Sequence, residues 1–290
     1  MLPVLPWGPH YCFPGCGAQA VIMLRMHSHD EFSTFVQTVD GLTARIRVPG
    51  GRVRAAQWEG LAALSEGFGD GQLHLTSRGN LQIRGVRDEE AVASTLAGLG
   101  LGVAPSIMCS PLSPALMTLV DALVPHLPAS GPVVGIDAGD GAILAKGPDV
   151  GLVAHGDGER FHLVVGGDPT ELIVSADSVV EVVTAAVAGQ EVADLVADRS
   201  EVVLPTVDGR QAPIGWMQDG DVVTLGAGLR EGRMDAQLAR FLAAIETDIR
   251  ITPWRSVVIH GLSDAVADQV VKVLAPMGLI FDANSPWLAD

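Results

Sequence analysis

Two short segments alternate apolar residues with polar residues that can bind anions. The segment GLTARIRV, residues 41–48, carries Arg45 and Arg47 between apolar positions. The segment HLTSRGNLQIRG, residues 74–85, adds the polar positions His74, Thr76, Arg78, Gln82 and Arg84. An alternation with a period of two places such side chains on one face of a β-strand. Since a guanidinium group can bind a carboxylate through two parallel hydrogen bonds, the pattern indicates a carboxylate-binding face.

Two structural explanations compete with this interpretation. Each polar residue taken alone could lie on the solvated outer face of a strand. The use of arginine could also reflect codon bias, since Lys146 and Lys272 are the only lysines of the sequence. However, several arginines on adjacent strands repel one another unless an anion or an acidic neighbour lies among them. The grouping of the arginines therefore favours a binding role over a solvated face.

Composition limits the classes of protein that fit. A chain of 290 residues can bury a large core without disulfides, and its three cysteines do not form a disulfide framework. The formal net charge of −16 argues against a nucleic-acid partner. No apolar run suits a bilayer span, and the first residues lack the basic start of a signal peptide. We expect a cytoplasmic protein with no membrane partner.

The carboxylate-binding face needs a sheet to position it. We expect a strand at 41–48, a helix at about 55–68, a hairpin at 72–85 that turns at Arg78-Gly79-Asn80, and a helix from Asp88 to about Leu99. A short strand could follow at Leu101–Val103. The expected order is therefore β-α-β-β-α with a further strand.

The same order recurs near the end of the chain. The expected elements there are a strand at 221–225, a helix at 234–246, strands at 248–252 and 256–260, a helix at 263–275 and a strand at 279–281. The local amino-acid sequence repeats as well. When the two segments are aligned, Gln57 matches Gln237 and Arg78 lies close to Arg255. We interpret this as an internal duplication of a ferredoxin-like βαββαβ unit whose polar faces line one cleft.

The sequence divides into four expected parts. These are an N-terminal tail at 1–25, a first ferredoxin-like half domain at 26–104, a middle α+β domain at 105–205 and a second half domain at 206–290. In the middle domain we expect strands at 133–136, 142–146, 152–154, 161–165 and 171–174, and helices at 113–127 and 176–188. The predicted fold class is α+β, with duplicated ferredoxin-like half domains flanking the middle domain.

Several of these motifs resemble a known family. LTARIRVPGG followed by HLTSRGNLQIRG resembles the ferredoxin-like half domain of sulfite and nitrite reductases. ITPWRSVVIHGL and APIGW resemble one branch of that family, precorrin-3B synthase. The resemblance covers about residues 32–290 and is most specific at 41–52, 73–86, 213–216 and 251–262.

The resemblance implies a ligand and the residues that hold it. In this family the two sheets and the middle domain enclose an anionic tetrapyrrole, either a precorrin or sirohaem, whose carboxylates are bound by arginines. By motif, Arg45 and Arg78 take tetrapyrrole-binding positions. The further candidates for this role are Arg47, Asn80, Gln82, Arg84 and Arg255. The arginines of the hairpin are thereby interpreted as carboxylate clamps.

The resemblance also implies a reaction and cofactors. Precorrin-3B synthase uses dioxygen and an electron donor, unknown here, to hydroxylate precorrin-3A and close a lactone in aerobic cobalamin biosynthesis. It relies on a [4Fe–4S] cluster and iron. The family holds that cluster with one C-x5-C and one C-x3-C motif after the second repeat. Neither motif lies after the second repeat in this sequence. CFPGC at Cys12–Cys16 has the C-x3-C spacing, but Cys109 is the only other cysteine and a cluster needs four ligands, so we expect the cluster ligands to be missing from this chain. Truncation, gene splitting or a shifted frame would explain this.

The sequence gives weaker support for a chemical role of other residues. His10, Cys12, Cys16, His27 and His29 are possible zinc ligands, although their spacing fits no defined pattern and an N-terminal tail is the simpler explanation. Cys109 could be a thiolate near a helix start, but a lone buried cysteine is the favoured interpretation. Trp254 could stack on a macrocycle or pack in the core, and His260 could face the cleft or simply end a strand. We predict no metal ligands and leave the catalytic residues unassigned.

Three functions therefore stay open. The first is an oxidoreductase of the precorrin-3B synthase type, incomplete for turnover by itself. The second is a tetrapyrrole-binding module without redox chemistry, acting as a carrier or as the partner of a separate cluster-bearing chain. The third is a sirohaem-dependent relative of sulfite or nitrite reductase.

Overall fold

The computed structural model describes residues 34–156, 158–200 and 212–288. The first repeat follows the predicted order and has one additional strand on each side of the strand that was predicted at 41–48. Its elements are β1 (Phe35–Thr38), β2 (Gly41–Ile46), β3 (Arg52–Val53), α1 (Ala55–Phe68), β4 (Gln72–Leu75), β5 (Leu81–Ile83) and α2 (Glu89–Gly98). Asp88 begins α2 as expected, because its carboxylate accepts a hydrogen bond from the Ala91 amide at 3.0 Å.

The middle part of the chain is a five-stranded sheet covered by helices. Its elements are β6 (Ile107–Cys109), α3 (Met117–Leu123), β7 (Val134–Asp137), β8 (Val150–His155), β9 (Arg160–Val165), β10 (Asp168–Ser175) and α4 (Val179–Val187). The strand order is β10-β9-β8-β7-β6, with β6, β7 and β8 parallel. Apolar residues of α3, α4 and the sheet form a separate core.

The second repeat has the element order of the first and one further strand. It contains β11 (Gly215–Asp219), β12 (Val222–Leu229), β13 (Arg233–Asp235), α5 (Ala236–Ala243), β14 (Ile249–Ile251), β15 (Ser256–Leu262), α6 (Asp264–Leu274) and β16 (Leu279–Ile280). Asp235 caps α5 by accepting a hydrogen bond from the Leu238 amide at 2.7 Å. The predicted duplication of the β-α-β-β-α order is therefore present in the structure.

The two repeats exchange one strand each. The first sheet has the order β1-β2-β5-β4-β13, so its last strand comes from the second repeat. The second sheet has the order β11-β12-β15-β14-β3, with β16 beside β12, and takes β3 from the first repeat. Helices α1 and α5 pack against each other, and both repeats share one hydrophobic core. The exchange fixes the two sheets relative to each other, which the sequence pattern did not predict.

The middle part is attached to both repeats through polar contacts. Arg52 forms an ion pair with Asp121 at 2.5 Å. The carbonyl oxygen of Pro111 accepts hydrogen bonds from His260 Nε2 at 2.8 Å and from Arg250 Nη1 at 3.5 Å. Arg250 is buried and ion-paired, as expected for a charged group removed from water. These contacts hold the three parts of the chain around a common centre.

Two predicted strands are wrong. Residues 142–146 form turns and a 3-10 helix, Leu144–Lys146, because the buried carboxylate of Asp137 accepts hydrogen bonds from the backbone amides that follow it. Residues 101–103 form no strand, and Leu101 instead packs into the core after α2. The domain boundaries stay predictions. Within the described ranges, no helix combines the length and apolar character needed to cross a bilayer.

Candidate functional site

A row of polar residues crosses the first sheet on the side away from its helices. Arg45 on β2 lies opposite Gln82 on β5, and Gln82 lies opposite His74 on β4. The neighbouring residues Ala44 and Ile46 point to the other side, where they are buried in the core. The period-two alternation of the sequence is therefore confirmed, with the guanidinium group of Arg45 on the face opposite to the core.

Three arginines of this face lie close enough to interact electrostatically. Burial lowers the pKa of Arg47, and the positive charges of Arg78 and Arg45 lower it further. Arg45, Arg47 and Arg78 are called the arginine cluster below. Like charges at short range raise the free energy of the unliganded protein, and a bound anion would relieve that repulsion.

Arg47 also has a structural role. Its Nη1 donates hydrogen bonds to the carbonyl oxygens of Ala104, at 3.3 Å, and Ala129. Both carbonyls lie after the first repeat, at the start of the middle part and after α3. Arg47 therefore ties the first sheet to the middle part while it contributes charge to the cluster.

Arg78 projects from the tight turn between β4 and β5. Thr76 Oγ1 accepts hydrogen bonds from the amides of Arg78, at 3.3 Å, and Asn80, at 3.1 Å. The Arg78 side chain is exposed, and no ion pair to it is found in the part of the chain that the structure describes. The turn thus carries one exposed guanidinium group.

Asn80 and Arg84 are engaged with other parts of the protein. The side-chain oxygen of Asn80 accepts a hydrogen bond from the Val48 amide at 2.9 Å, which joins the turn to the segment after β2 that contains Arg47. Arg84 forms an ion pair with Asp40 at 3.0 Å. Among the predicted site residues, Asn80 therefore positions the arginine cluster, and Arg84 lies in a separate ion pair on the same sheet.

Arg255 belongs to the corresponding turn of the second repeat. Thr252 Oγ1 accepts a hydrogen bond from the Trp254 amide at 3.1 Å, as Thr76 Oγ1 does from the Arg78 amide. Trp254 therefore takes the place of Arg78, and Arg255 takes the place of Gly79. Arg255 and Gly79 both adopt positive φ, 55° and 68° respectively. The match between Arg78 and Arg255 expected from the sequence is off by one residue.

A cavity of about 630 Å³ lies where the repeats and the middle part meet. Its walls include Ser77 from the first repeat, Lys146 from the middle part, and Trp254 and Arg255 from the second repeat. Residues 283–286 and Leu288 close another side. Because Ser77 precedes Arg78, the cavity borders the turn that carries Arg78. Sequence reasoning missed Lys146, although its rarity as one of two lysines was a usable signal.

The remaining candidate residues are structural. Cys109 is buried, and burial raises the pKa of its thiol to about 12, which confirms the interpretation as a lone buried cysteine. Burial, followed by the charge of Arg250, lowers the pKa of His260, which is bonded to Pro111. The possible zinc ligands between His10 and His29 lie outside the described residues. In the described ranges, no three His, Cys, Asp or Glu side chains group as a metal site.

Comparisons with known proteins agree with this architecture. Residues 36–94 and 217–277 match the family described as nitrite/sulfite reductase ferredoxin-like half domain. The fold is similar to that of the NirA protein of Mycobacterium tuberculosis, with a TM-score of 0.67 and 20% sequence identity. The match covers 83% of this chain and 57% of the NirA chain. No curated protein matches the chain. The predicted α+β fold with duplicated ferredoxin-like half domains is confirmed.

Proposed function

We propose that the chain binds an anionic tetrapyrrole through the arginine cluster, on the premise that residues 36–94 and 217–277 match the nitrite/sulfite reductase ferredoxin-like half-domain family. The observation that carries the proposal is the proximity of Arg45 and Arg78 to the partly buried Arg47, whose pKa is lowered by burial and then by these two charges. A precorrin or sirohaem has peripheral acetate and propionate groups. Each such group can accept two parallel hydrogen bonds from one guanidinium.

The residues around the cluster fit a ligand of this kind. Arg78 extends from a turn that Thr76 fixes, and Asn80 holds that turn against the segment after β2 that contains Arg47. The adjacent cavity of about 630 Å³ lies within the usual volume range of small-molecule and cofactor sites. A bound sirohaem would supply redox chemistry, while these side chains bind its carboxylates and orient the ring.

The reaction that we favour is that of precorrin-3B synthase, the oxygen-dependent hydroxylation of precorrin-3A with lactone formation. This choice rests on the ITPWRSVVIHGL segment, whose Trp254 and Arg255 line the cavity. The described residues do not fit a [4Fe–4S] cluster, because they offer one cysteine and its thiol is buried. Electron transfer would therefore need a cluster held elsewhere, for example by a partner chain. We derive no step through it.

A second candidate function is a tetrapyrrole carrier or partner subunit without redox chemistry. It is favoured by the same observation, that no cluster-ligand set exists among the described residues. The two candidates share the binding step and differ in turnover. Iron and sulfide analysis of the purified chain, together with an assay for oxygen-dependent conversion of precorrin-3A, separates them. Conversion with an added cluster-bearing electron donor would support the enzyme.

A spectroscopic titration tests the shared binding step. Sirohaem and a planar octacarboxylate porphyrin are titrated into the wild type, Arg78→Ala and the control Arg240→Gln. Arg240 is an exposed arginine on α5, paired with Glu59 and Glu66 on the helix side of the sheet. Losing a charge-assisted bond of about 1.5–3 kcal/mol should weaken binding of Arg78→Ala about 10- to 150-fold. Equal affinity of all three proteins, or no binding, contradicts the proposal.

A further inference from the structure

Lys146 and Arg255 form a cationic pair at the wall of the 630 Å³ cavity. Burial lowers the pKa of Lys146, and the charge of Arg255 lowers it further. In the described part of the chain, no carboxylate forms an ion pair with Lys146. Its ammonium group instead lies 4.6 Å from the centroid of the Trp254 ring. The half-buried ammonium group of Lys146 therefore lies over the ring of Trp254 and near the positive charge of Arg255.

The loop that carries Lys146 is built around one buried carboxylate. Asp137 is fully buried at the end of β7. Its oxygens accept hydrogen bonds from the amides of Gly139, Asp140, Gly141, Ile143 and Leu144, at 2.8–3.3 Å. These bonds force the chain into the turns that end in the 3-10 helix Leu144–Lys146. The position of Lys146 is thus set by a satisfied buried group rather than by an exposed loop.

The backbone and side chain of Arg255 are also constrained. Its backbone adopts φ of 55°, a conformation that is uncommon outside glycine. The Arg255 side chain runs along Gly232, where an added Cβ would lie 2.9–3.3 Å from its Cβ, Cδ and Cγ atoms. Glycine at 232 therefore leaves the space that the Arg255 side chain occupies. Two cations from different parts of the chain are brought together although they repel each other.

We propose that Lys146 and Arg255 bind one peripheral carboxylate of the macrocycle, as a second anion subsite beside the arginine cluster. The inference rests on the proposed tetrapyrrole binding and adds Lys146 as a residue that determines ligand affinity. The subsite shares the cavity with Trp254, Ile214 and Pro253, which provide apolar surface for the ring. The chemistry recognised is that of an oxyanion. A free oxyanion such as sulfite is therefore an outcome that the test distinguishes from a carboxylate of the macrocycle.

Differential amine labelling provides a direct test, because the sequence has only two lysines. The intact chain is acetylated near neutral pH with and without the octacarboxylate porphyrin, and acetylation of each lysine is read by mass spectrometry. Lys272 is the internal control, since it is exposed on α6 and paired with Asp268 at 2.5 Å. We expect the porphyrin to slow acetylation of Lys146 at least fivefold and to leave Lys272 unchanged. The fully esterified porphyrin should give no protection.

Affinity measurements with matched variants complete the test. Lys146→Gln should weaken porphyrin binding about tenfold, whereas Lys272→Gln should bind as the wild type does. Binding that depends on Arg78 but is indifferent to Lys146 would overturn this inference and leave the proposed function standing. Absence of porphyrin binding would overturn both. Protection of Lys146 by sulfite at concentrations where the porphyrin gives none would assign the pair to a free oxyanion and overturn the carboxylate subsite.

Discussion

Arg45 and Gly226 occupy equivalent positions in the two sheets. Arg45 lies opposite Gln82 on the central strand pair of the first sheet, and Gly226 lies opposite Val258 on the corresponding pair of the second. The same register makes Gly228 the counterpart of Arg47. The duplicated fold therefore carries two arginines on one sheet where it carries two glycines on the other.

The two glycines explain why this face of the second sheet is closed to a ligand. A Cβ at Gly226 would overlap the carbonyl oxygen of Pro213, and one at Gly228 would overlap the side chain of Leu288. The protein's own chain thus lies directly on the second sheet at the positions where the first sheet carries guanidinium groups. The halves of the duplication have diverged into one surface that carries arginines and one surface covered by the chain.

Replacing Gly226 with alanine tests this covering segment. Gly226→Ala should lower the free energy of unfolding by about 2–3 kcal/mol, because the new methyl group meets backbone rather than a flexible side chain. Chemical denaturation measures the change. Gly67→Ala is the matched control, since an added Cβ there meets nothing within 4 Å and Gly67 lies within α1. The control should be stabilised by about 0.5–1 kcal/mol. A neutral Gly226→Ala would show that Pro213 does not lie on the sheet.

Substitutions of Arg47 and Arg78 should have different effects on the stability of the fold and on ligand binding. Arg47→Ala removes the donor to the carbonyls of Ala104 and Ala129 and should cost about 1–3 kcal/mol of unfolding free energy. Arg78→Ala removes an exposed side chain and should change stability by less than about 0.5 kcal/mol while it weakens tetrapyrrole binding. Denaturant titrations of both variants, beside the ligand titration, measure the contrast. Equal destabilisation by the two substitutions would contradict the assignment of Arg78 to the ligand.

Much of the repeat architecture could be predicted from local patterns. The alternation around Arg45 and Gln82 identified the polar face, and apolar spacing identified α1 within its observed bounds, Ala55–Phe68. These features depend on residues that are neighbours in sequence. The side-chain partners of the predicted site residues, by contrast, are distant in sequence. Asn80 bonds Val48 and Arg84 pairs with Asp40 through contacts that no periodicity records.

The missed features all depend on contacts between distant segments. β3 and β13 are short and join the sheet of the other repeat, so their own residues give no signal of it. The segment around Lys146 has the apolar content of a strand, but the carboxylate of Asp137 supplies backbone hydrogen-bond acceptors that favour a turn. Lys146 and Arg255 are far apart in sequence and meet only through the cavity. Recognising a pair of this kind requires the three-dimensional structure.

Asp137→Asn should disrupt the loop that carries Lys146. The substitution keeps the shape of the side chain but turns an amide N–H donor toward backbone N–H donors. We expect a loss of about 3 kcal/mol in unfolding free energy, together with weaker ligand protection of Lys146 against acetylation. Asp168→Asn, at an exposed position of β10, is the control and should change neither quantity. If Asp137→Asn retains both stability and protection, the buried carboxylate does not position the lysine.

His260 should make stability depend on pH. Burial and the charge of Arg250 lower its pKa, and these outweigh the opposing effects of Asp248 and of the hydrogen bond to Pro111. The folded protein therefore holds His260 neutral. As pH falls below about 6.5, the unfolded chain binds a proton that the folded protein does not, so the unfolding free energy decreases until the lower folded pKa is passed. Above that pH both states are neutral and the contribution is fully present.

His260→Gln removes this linkage without removing a polar side chain. Between pH 7 and pH 5 the variant should lose stability less steeply than the wild type, by up to about 1.4 kcal/mol per pH unit. Urea midpoints measured across this interval give the slope. His126→Gln, at an exposed position, should keep the wild-type slope. Identical slopes for His260→Gln and the wild type would mean that folding does not change the pKa of His260, and the contacts with Arg250 and Pro111 would then not hold the ring neutral.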